Sequence, residues 1–431
     1  MIQAIQLILS LSILVTIHEL GHFLAARFFK TKVERFFLFF DWPFALFKKK
    51  IGDTVWGVGI LPLGGYVKIA GMIDESMDKE QLEKPIEKWE FRAKPAWQRL
   101  IIMIGGVVFN VILAFIIYSC LLKKHGDSFI KNESLKHGLV FSEKAKNLGF
   151  QDGDKIISLD DKKIKNYNVI WKKILLDDVK FVGIERNGSL DKVALQEDGV
   201  VSLLKENSVP FNIALPPVVA SFKENSNAKE AGFMVGDKII SVNNNPVVFS
   251  SDIVKETKSL DSENIFCSVV RFNDTLDFNV NIKNKDLVLG VFWNTDFIKT
   301  DTSKYTFSES FVMGFKKTFT VLFDYTKQFK LIGKSPESIG GFITIGKIFP
   351  SAWDWRVFWE MTAFLSVILA VINMLPIPAL DGGHVLFLCY EIITGKAANK
   401  KFLEYAQVVG MIILLGLVVW ANGNDILRLF K

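Results

Sequence analysis

Four blocks of roughly twenty apolar residues constrain this chain more than any other feature, because stretches of that length and composition match a bilayer core. They fall at residues 1–30, 95–122, 354–376 and 402–422. The overall apolar fraction of 50% would suit a large soluble protein, but here it is concentrated in the blocks and separated by ordinary polar sequence. The first block has neither a basic leader nor a small-residue cleavage site, so it reads as a retained helix, not a signal peptide. A net charge of +6 is spread along the chain with no basic cluster interleaved with aromatics, and no nucleic-acid partner is expected. Cys120, Cys267 and Cys389 lie far apart and define neither a disulfide framework nor a metal site.

Lysine and arginine near the block ends set the orientation. Lys30, Lys32, Arg35, Lys48, Lys49, Lys50, Arg92, Lys94 and Arg99 flank the 31–94 connection, and Lys396, Lys400 and Lys401 follow in the 377–401 connection. Opposing them are Lys123, Lys124 and Lys131 after the second block and Arg428 and Lys431 at the end. The bias places 31–94 and 377–401 in the cytoplasm, and both termini and the long central region on the outer side.

The first block contains "HELGH", with His18, Glu19 and His22. Four residues apart on a helix, the two imidazoles face the same way and can share one divalent metal, while Glu19 lies close enough to take a proton from a water there. Ionisable groups at bilayer depth are costly, and they point to function. The long metzincin form needs glycine at 25 and histidine at 28; the chain has Ala25 and Phe28. A third ligand is expected from "NMLPIPALDGGHVL", Asn373 to Leu386. Asp381 is its only carboxylate, and the Gly382–Gly383 pair would let the backbone turn to aim it inward. His384, three residues on, is the rival, and an aspartate here could also be a helix cap.

The central region repeats a phrase. "AKNLGFQDGDKIISLDDKKI", Ala145 to Ile164, and "AKEAGFMVGDKIISVNNNPV", Ala228 to Val247, share a Gly-Phe-x-x-Gly-Asp-Lys-Ile-Ile-Ser core. Each reads as a helix end, a glycine turn and a short strand with a hairpin. The phrase resembles PDZ domains, which bind extended peptides by strand addition, and suggests two duplicated modules over 126–210 and 211–300.

"HELGH" on the first block with "NMLPIPALDGG" on a late one resembles the site-2 protease family of intramembrane zinc metalloproteases, in its bacterial branch, the regulator of sigma-E proteases (RseP). The resemblance covers essentially the whole chain. It implies a polytopic α-helical membrane protein with four transmembrane helices, a membrane-re-entrant β-hairpin and two inserted α/β PDZ-like domains. His18, His22 and Asp381 would bind Zn²⁺, Glu19 would be the general acid/base, and Asn373 would hold the substrate backbone or the developing oxyanion. "GILPLGGYVKIAGM", Gly59 to Met72, resembles the family's re-entrant hairpin, here expected over 54–72, with Gly64, Gly65 and Tyr66 beside the substrate. "IGGVVFN", Ile104 to Asn110, resembles a glycine-rich motif that lets helices approach closely. "SIGGFITIGKI", Ser338 to Ile348, stands at the place of a "GPI"-type motif but has Gly341 where proline is usual.

Phe307, Phe311, Phe315, Phe319 and Phe323 recur every four residues within 301–353. They suit an amphipathic helix at the outer membrane surface as well as the buried face of a soluble helix. The implied substrates are single-span proteins of the lipid bilayer, such as anti-sigma factors or remnant signal peptides, trimmed first by a site-1-type protease. The implied location is the bacterial inner membrane. The competing class is a non-catalytic PDZ scaffold with a structural metal, which would usually need a fourth protein ligand.

Overall fold

The structure, a computed structural model, describes residues 1–72, 85–204, 209–258, 264–283, 288–333 and 340–430. The chain divides into two units, one of Met1–Gly126 with Lys304–Lys431 and one of Asp127–Ser303.

The first unit is built on α1 (Ile2–Phe28), α2 (Ala96–His125), α3 (Phe307–Ile332), α4 (Phe342–Lys347), α5 (Trp355–Asn373), α6 (Asp381–Thr394) and α7 (Lys400–Leu429). Helices α1, α2, α5 and α7 are long and apolar enough to cross a membrane. At 1.5 Å per residue, the 19 residues of α5 span about 28 Å, close to one hydrocarbon thickness. Helix α5 ends at Asn373 because Pro376 and Pro378 follow, each lacking the N–H a helix needs. The aspartate expected at the end of the third span therefore opens a separate helix, α6, in what the sequence suggested was a cytoplasmic connection.

Helices α1 and α2 meet at glycines. A Cβ on Gly21 would stand 2.3 Å from the Gly105 carbonyl oxygen, and one on Gly105 would stand 2.7 Å from that of Gly21. Only glycine permits this approach, which is the packing the "IGGVVFN" segment suggested. Helix α5 closes the group, burying Ala363 and Val367 with Ala114 and Tyr118 of α2, and Phe358 and Leu365 with Leu7 and Leu14 of α1.

Helix α3 begins with a capping box, Thr306 and Glu309 each bonding the other's backbone. Its Val321, Leu322, Tyr325 and Phe329 pack on the α2–α5 core, and Lys317 pairs with Glu360 of α5 at 3.4 Å. Phe307, Phe311, Phe315 and Phe323 are exposed. The phenylalanine stripe is thus mostly an outward face, although Phe311 and Phe315 also meet Phe115 of α2 edge-on at 4.6 and 6.1 Å. From the "GPI"-type segment, Ser338 and Ile339 lie outside the described residues. Beyond them, Phe342 N–H donates to Asn422 of α7 at 3.2 Å and Thr344 N–H to Asp425 at 3.0 Å.

Strands β1 (Val33–Ile51) and β2 (Thr54–Ile69) form an antiparallel pair in which both strands bend. Val33 to Phe40 pairs antiparallel with Leu61 to Ile69 on one side, while on the other Arg35 to Leu38 lies in a register that runs the same way as Val55 to Val58. Ala45 to Ile51 then pairs back with Thr54 to Gly59. The ribbon is four segments wide, ordered 61–69, 33–40, 54–59, 45–51, and 61–69 is an edge among the described residues. Strand structure therefore starts at Val33, well before the expected 54–72.

The second unit holds two modules of one design. In the first, segments 162–163, 155–159, 181–186 and 189–194 form a four-stranded sheet in that order, beside a separate pair of 139–141 with 211–213 and the helix Ile170–Leu176. The second repeats the order with 245–246, 238–242, 264–271 and 274–281, the pair 219–222 with 291–293, and the helix Ser250–Lys258. Segment 211–213 hydrogen-bonds into the first module and buries Phe211 in its core, which moves the boundary past the expected 210. In the repeated phrase, Gly149 and Gly153, like Gly232 and Gly236, hold positive φ at 107°, 96°, 97° and 94°. Phe150 and Phe233 are core residues. Asp154 and Asp237 are buried, and each accepts two hydrogen bonds from one guanidinium, Arg186 or Arg271, and one from a backbone N–H, Gln151 or Met234.

Candidate metal centre

His18 and His22 sit one turn apart on α1, both buried, with ring centroids 4.8 Å apart and nearly perpendicular. The perpendicular setting lets two Nε2 atoms converge without stacking the rings. Asp381 reaches them from the first turn of α6. The loop before it is tight: Ala379 adopts φ 84°, an uncommon conformation for a side-chain-bearing residue. A Cβ on Gly382 would lie 2.2 Å from the Leu375 carbonyl oxygen. Gly382 and Gly383 therefore serve close packing of α6 on this loop; neither has the positive φ of the turn expected of them.

Asp381 Oδ2 lies 3.2 Å from His18 Nε2 and 3.3 Å from His22 Nε2, and the two Nε2 atoms are 3.2 Å apart. The three atoms make a nearly equilateral triangle. Tetrahedral ligation at about 2.0 Å places neighbouring donor atoms about 3.3 Å apart, so the triangle has the size of one face of a zinc site. Electrostatics agree. His22 Nδ1 stands 2.9 Å from the Ile102 carbonyl oxygen, which can only accept, so Nδ1 carries a proton and the neutral imidazole presents its lone pair at Nε2. Asp381 Oδ2 is buried without a hydrogen-bond partner. Acceptor lone pairs converging on one point are repulsive unless a cation lies between them. Among the described residues, this is the group of histidine, cysteine and acidic side chains placed to hold a metal. His384, the rival ligand, is not in it.

Around the triangle stand three further residues. Asn373, the last residue of α5, places Nδ2 3.1 Å from His18 Nε2. Asn110 of α2, fully buried, places Nδ2 3.2 Å from His18 Nδ1. Glu19 follows His18 on α1 and is partly exposed. A Cβ on Gly106 would lie 2.4 Å from His22 Nε2, so the glycines that bring α1 and α2 together also make room for the imidazoles. Asn110 and Gly106 were legible in sequence only as packing residues; the signal was their spacing in the glycine-rich segment.

Gly64, Gly65 and Tyr66 lie on the edge segment of the ribbon. A Cβ on Gly65 would meet Val15 Cγ1 at 2.8 Å, so this edge runs against α1 one turn before His18. Tyr66 stacks on Phe37 at 5.4 Å and donates its hydroxyl proton to Asp41 at 3.0 Å.

Comparison with known proteins gives the same direction. The family model for peptidase family M50 matches residues 6–417. A Rickettsia conorii protein named as a zinc metalloprotease is 28% identical over 434 residues, covering all of both chains. A Neisseria meningitidis protein so named is 27% identical over 98% of each chain. The regulator of sigma E protease of Haemophilus influenzae is also 27% identical, again over 98% of each.

Proposed function

The chain belongs to peptidase family M50, and from that premise we propose that it hydrolyses peptide bonds inside the transmembrane segments of single-span proteins whose outer domains have already been removed. It is a zinc metalloprotease of the bacterial inner membrane. The observation that carries the reading is the triangle of His18 Nε2, His22 Nε2 and Asp381 Oδ2 on helices packed among four candidate spans.

His18, His22 and Asp381 would hold the zinc, leaving its fourth position to water or substrate, which is the pattern of a catalytic and not a structural site. Zn²⁺, when bound, polarises the scissile carbonyl and lowers the pKa of water toward about 7. Glu19 accepts a proton from the attacking water and returns it to the leaving amine. Asn373, its amide beside His18, donates to the scissile carbonyl oxygen as negative charge develops there.

A helical substrate cannot react, since its carbonyls are already hydrogen-bonded and shielded. The edge segment 61–69, which carries Gly64, Gly65 and Tyr66, offers a strand edge on which an unwound substrate can add. Trp42, Phe44, Leu46 and Phe47, exposed on the same ribbon, would seat it in lipid as a re-entrant element. The termini and the two PDZ-like modules lie on the outer side, and the metal site lies near the cytoplasmic one. The modules, inserted in the chain between α2 and α3, act as a size gate that requires prior trimming by a site-1-type protease; anti-sigma factors and remnant signal peptides are the substrate classes.

The test pairs one substrate span with and without a folded outer domain, incubated with the purified protein in detergent. Mass spectrometry should place the cut inside the apolar span of the trimmed form only, and chelation should abolish it. Cuts confined to the flanking loops would refute the intramembrane reading. In a variant lacking residues 126–300 that still binds zinc, continued rejection of the untrimmed form would refute the gate.

A further inference from the structure

The zinc reading raises a question about protons that the histidine environment answers. A neutral imidazole has one N–H and one acceptor nitrogen. Yet His18 faces two side-chain amides, with Asn110 Nδ2 3.2 Å from its Nδ1 and Asn373 Nδ2 3.1 Å from its Nε2. It cannot accept from both, so one amide must present its oxygen instead. Asn110 is the one. Its Oδ1 is buried with no hydrogen-bond partner, and turning its amide gives that oxygen the Nδ1 proton. Ligation through Nε2 makes the same choice, since a neutral imidazole that gives its Nε2 lone pair to a metal carries its proton on Nδ1, the nitrogen that faces Asn110.

We propose that Asn110 is a positioning residue of the metal centre: its side-chain carbonyl accepts the His18 Nδ1 proton and so fixes the tautomer whose Nε2 lone pair points at Asp381. The inference rests on reading the triangle as a metal site. His22 receives the same service from the Ile102 carbonyl at 2.9 Å. Both histidines on α1 are thus oriented from one neighbouring helix, eight residues apart. Asn110 is itself anchored, because its main-chain carbonyl accepts the Ser366 hydroxyl of α5 at 2.8 Å. One residue therefore links the helix bearing the histidines to the helix that ends at Asn373.

The experiment measures zinc affinity by chelator competition on the full chain in detergent, with thermal unfolding of the metal-free protein alongside. Asn110→Asp keeps an acceptor oxygen and should hold zinc within about threefold of the parent. Asn110→Leu keeps the bulk but offers no acceptor, and should weaken zinc by roughly 10–100-fold, the usual cost of losing such a partner. Equal zinc affinity in Asn110→Leu and the parent overturns the proposal, as does an equal loss in both variants. The unsubstituted, zinc-loaded protein supplies a measurement that needs no variant to fold. Its ¹⁵N-histidine spectrum should show His18 protonated at Nδ1 in slow exchange with solvent, and protonation at Nε2 overturns the assignment. A parent that rebinds no zinc after stripping would instead refute the metal reading itself.

Discussion

Among the described residues, two settings of a shielded carboxylate contrast. In the repeated modules, Asp154 and Asp237 each receive a two-pronged guanidinium and a backbone N–H. At the centre of the helical unit, Asp381 faces two imidazole nitrogens, and its Oδ2 has no hydrogen-bond partner. A folded chain rarely tolerates the second arrangement, because an unsatisfied buried acceptor gives up its hydration for nothing. The modules show that this chain can neutralise a buried aspartate with its own residues. Where it does not, Oδ2 and the two Nε2 atoms are placed to share one metal ion. A satisfied carboxylate stabilises a fold, and an unsatisfied one waits for a ligand.

If that contrast is sound, its largest consequence falls on Asp381. Asp381→Ala should lose tightly held zinc, by more than the roughly 100-fold that a supporting residue costs, and with it all cleavage. Elemental analysis after gel filtration checks this, and zinc retained at full stoichiometry would break the contrast at its strong end. Glu19→Gln separates chemistry from binding. Zinc should stay while cleavage falls by about 10²- to 10⁴-fold, the contribution of a positioned acid/base. Comparable turnover in that variant removes Glu19 from the mechanism, and loss of zinc would make it a ligand.

How far the sequence alone reached follows from distance along the chain. His18, Glu19 and His22 were legible because helical spacing is a local property. Asp381 lies far down the chain from His22, and the resemblance together with the Gly382–Gly383 pair singled it out from His384; no periodicity links residues so distant. The contact of Asn110 with His18 was not legible, because it depends on where α2 slides along α1, which the Gly21–Gly105 contact sets. The first half of the ribbon was missed for another reason. "VERFFLFFDWPFALF" is nearly continuous in apolar residues, so it shows none of the alternation that marks a half-buried strand. The duplicated modules were legible in outline because their glycines and aspartates recur in phase, but the arginines that complete them lie over thirty residues away from each aspartate.

The modules supply the milder tests. Arg186→Met should strand Asp154, whose side chain is 1% exposed, and destabilise its module by about 3 kcal/mol. Hydrogen exchange on the intact protein would locate the loss there and leave zinc content unchanged. Replacing Asp154 by Leu as well should recover most of it, since the cost lies in the unpaired charge. Acid probes the same clamp in the second module. Burial alone would raise the Asp237 pKa, but the Arg271 hydrogen bonds and the Met234 N–H reverse this and hold it below the usual carboxylate range. A folded-state pKa lowered in this way contributes stability that is complete above the unfolded value of about 3.9 and fades as pH falls below it. The second module should therefore show flat stability from pH 7 to about 5 and decline under stronger acid. Rising stability through that acid range would contradict the clamp.

The smallest expected effect sharpens the contrast most, because it concerns a residue that the sequence could not separate from the ligand. His384 lies three residues past Asp381, on the same first turn of α6, and imidazole is the better zinc donor by chemistry. Geometry favours Asp381. The nitrogens and the oxygen that close into a triangle of ligand size belong to His18, His22 and Asp381. His384 is not among the groups whose donor atoms close to that spacing. Gly382 and Gly383 pack closely on the carbonyls of Leu375 and Ile377, which holds the start of α6 against the loop before it. His384→Ala should therefore keep zinc at full stoichiometry and change its affinity by less than the roughly tenfold that even a supporting residue can carry. Zinc lost from His384→Ala but kept in Asp381→Ala would reverse the ligand assignment. Zinc lost from both would mean that four protein groups close the site, and would favour a structural metal over a catalytic one.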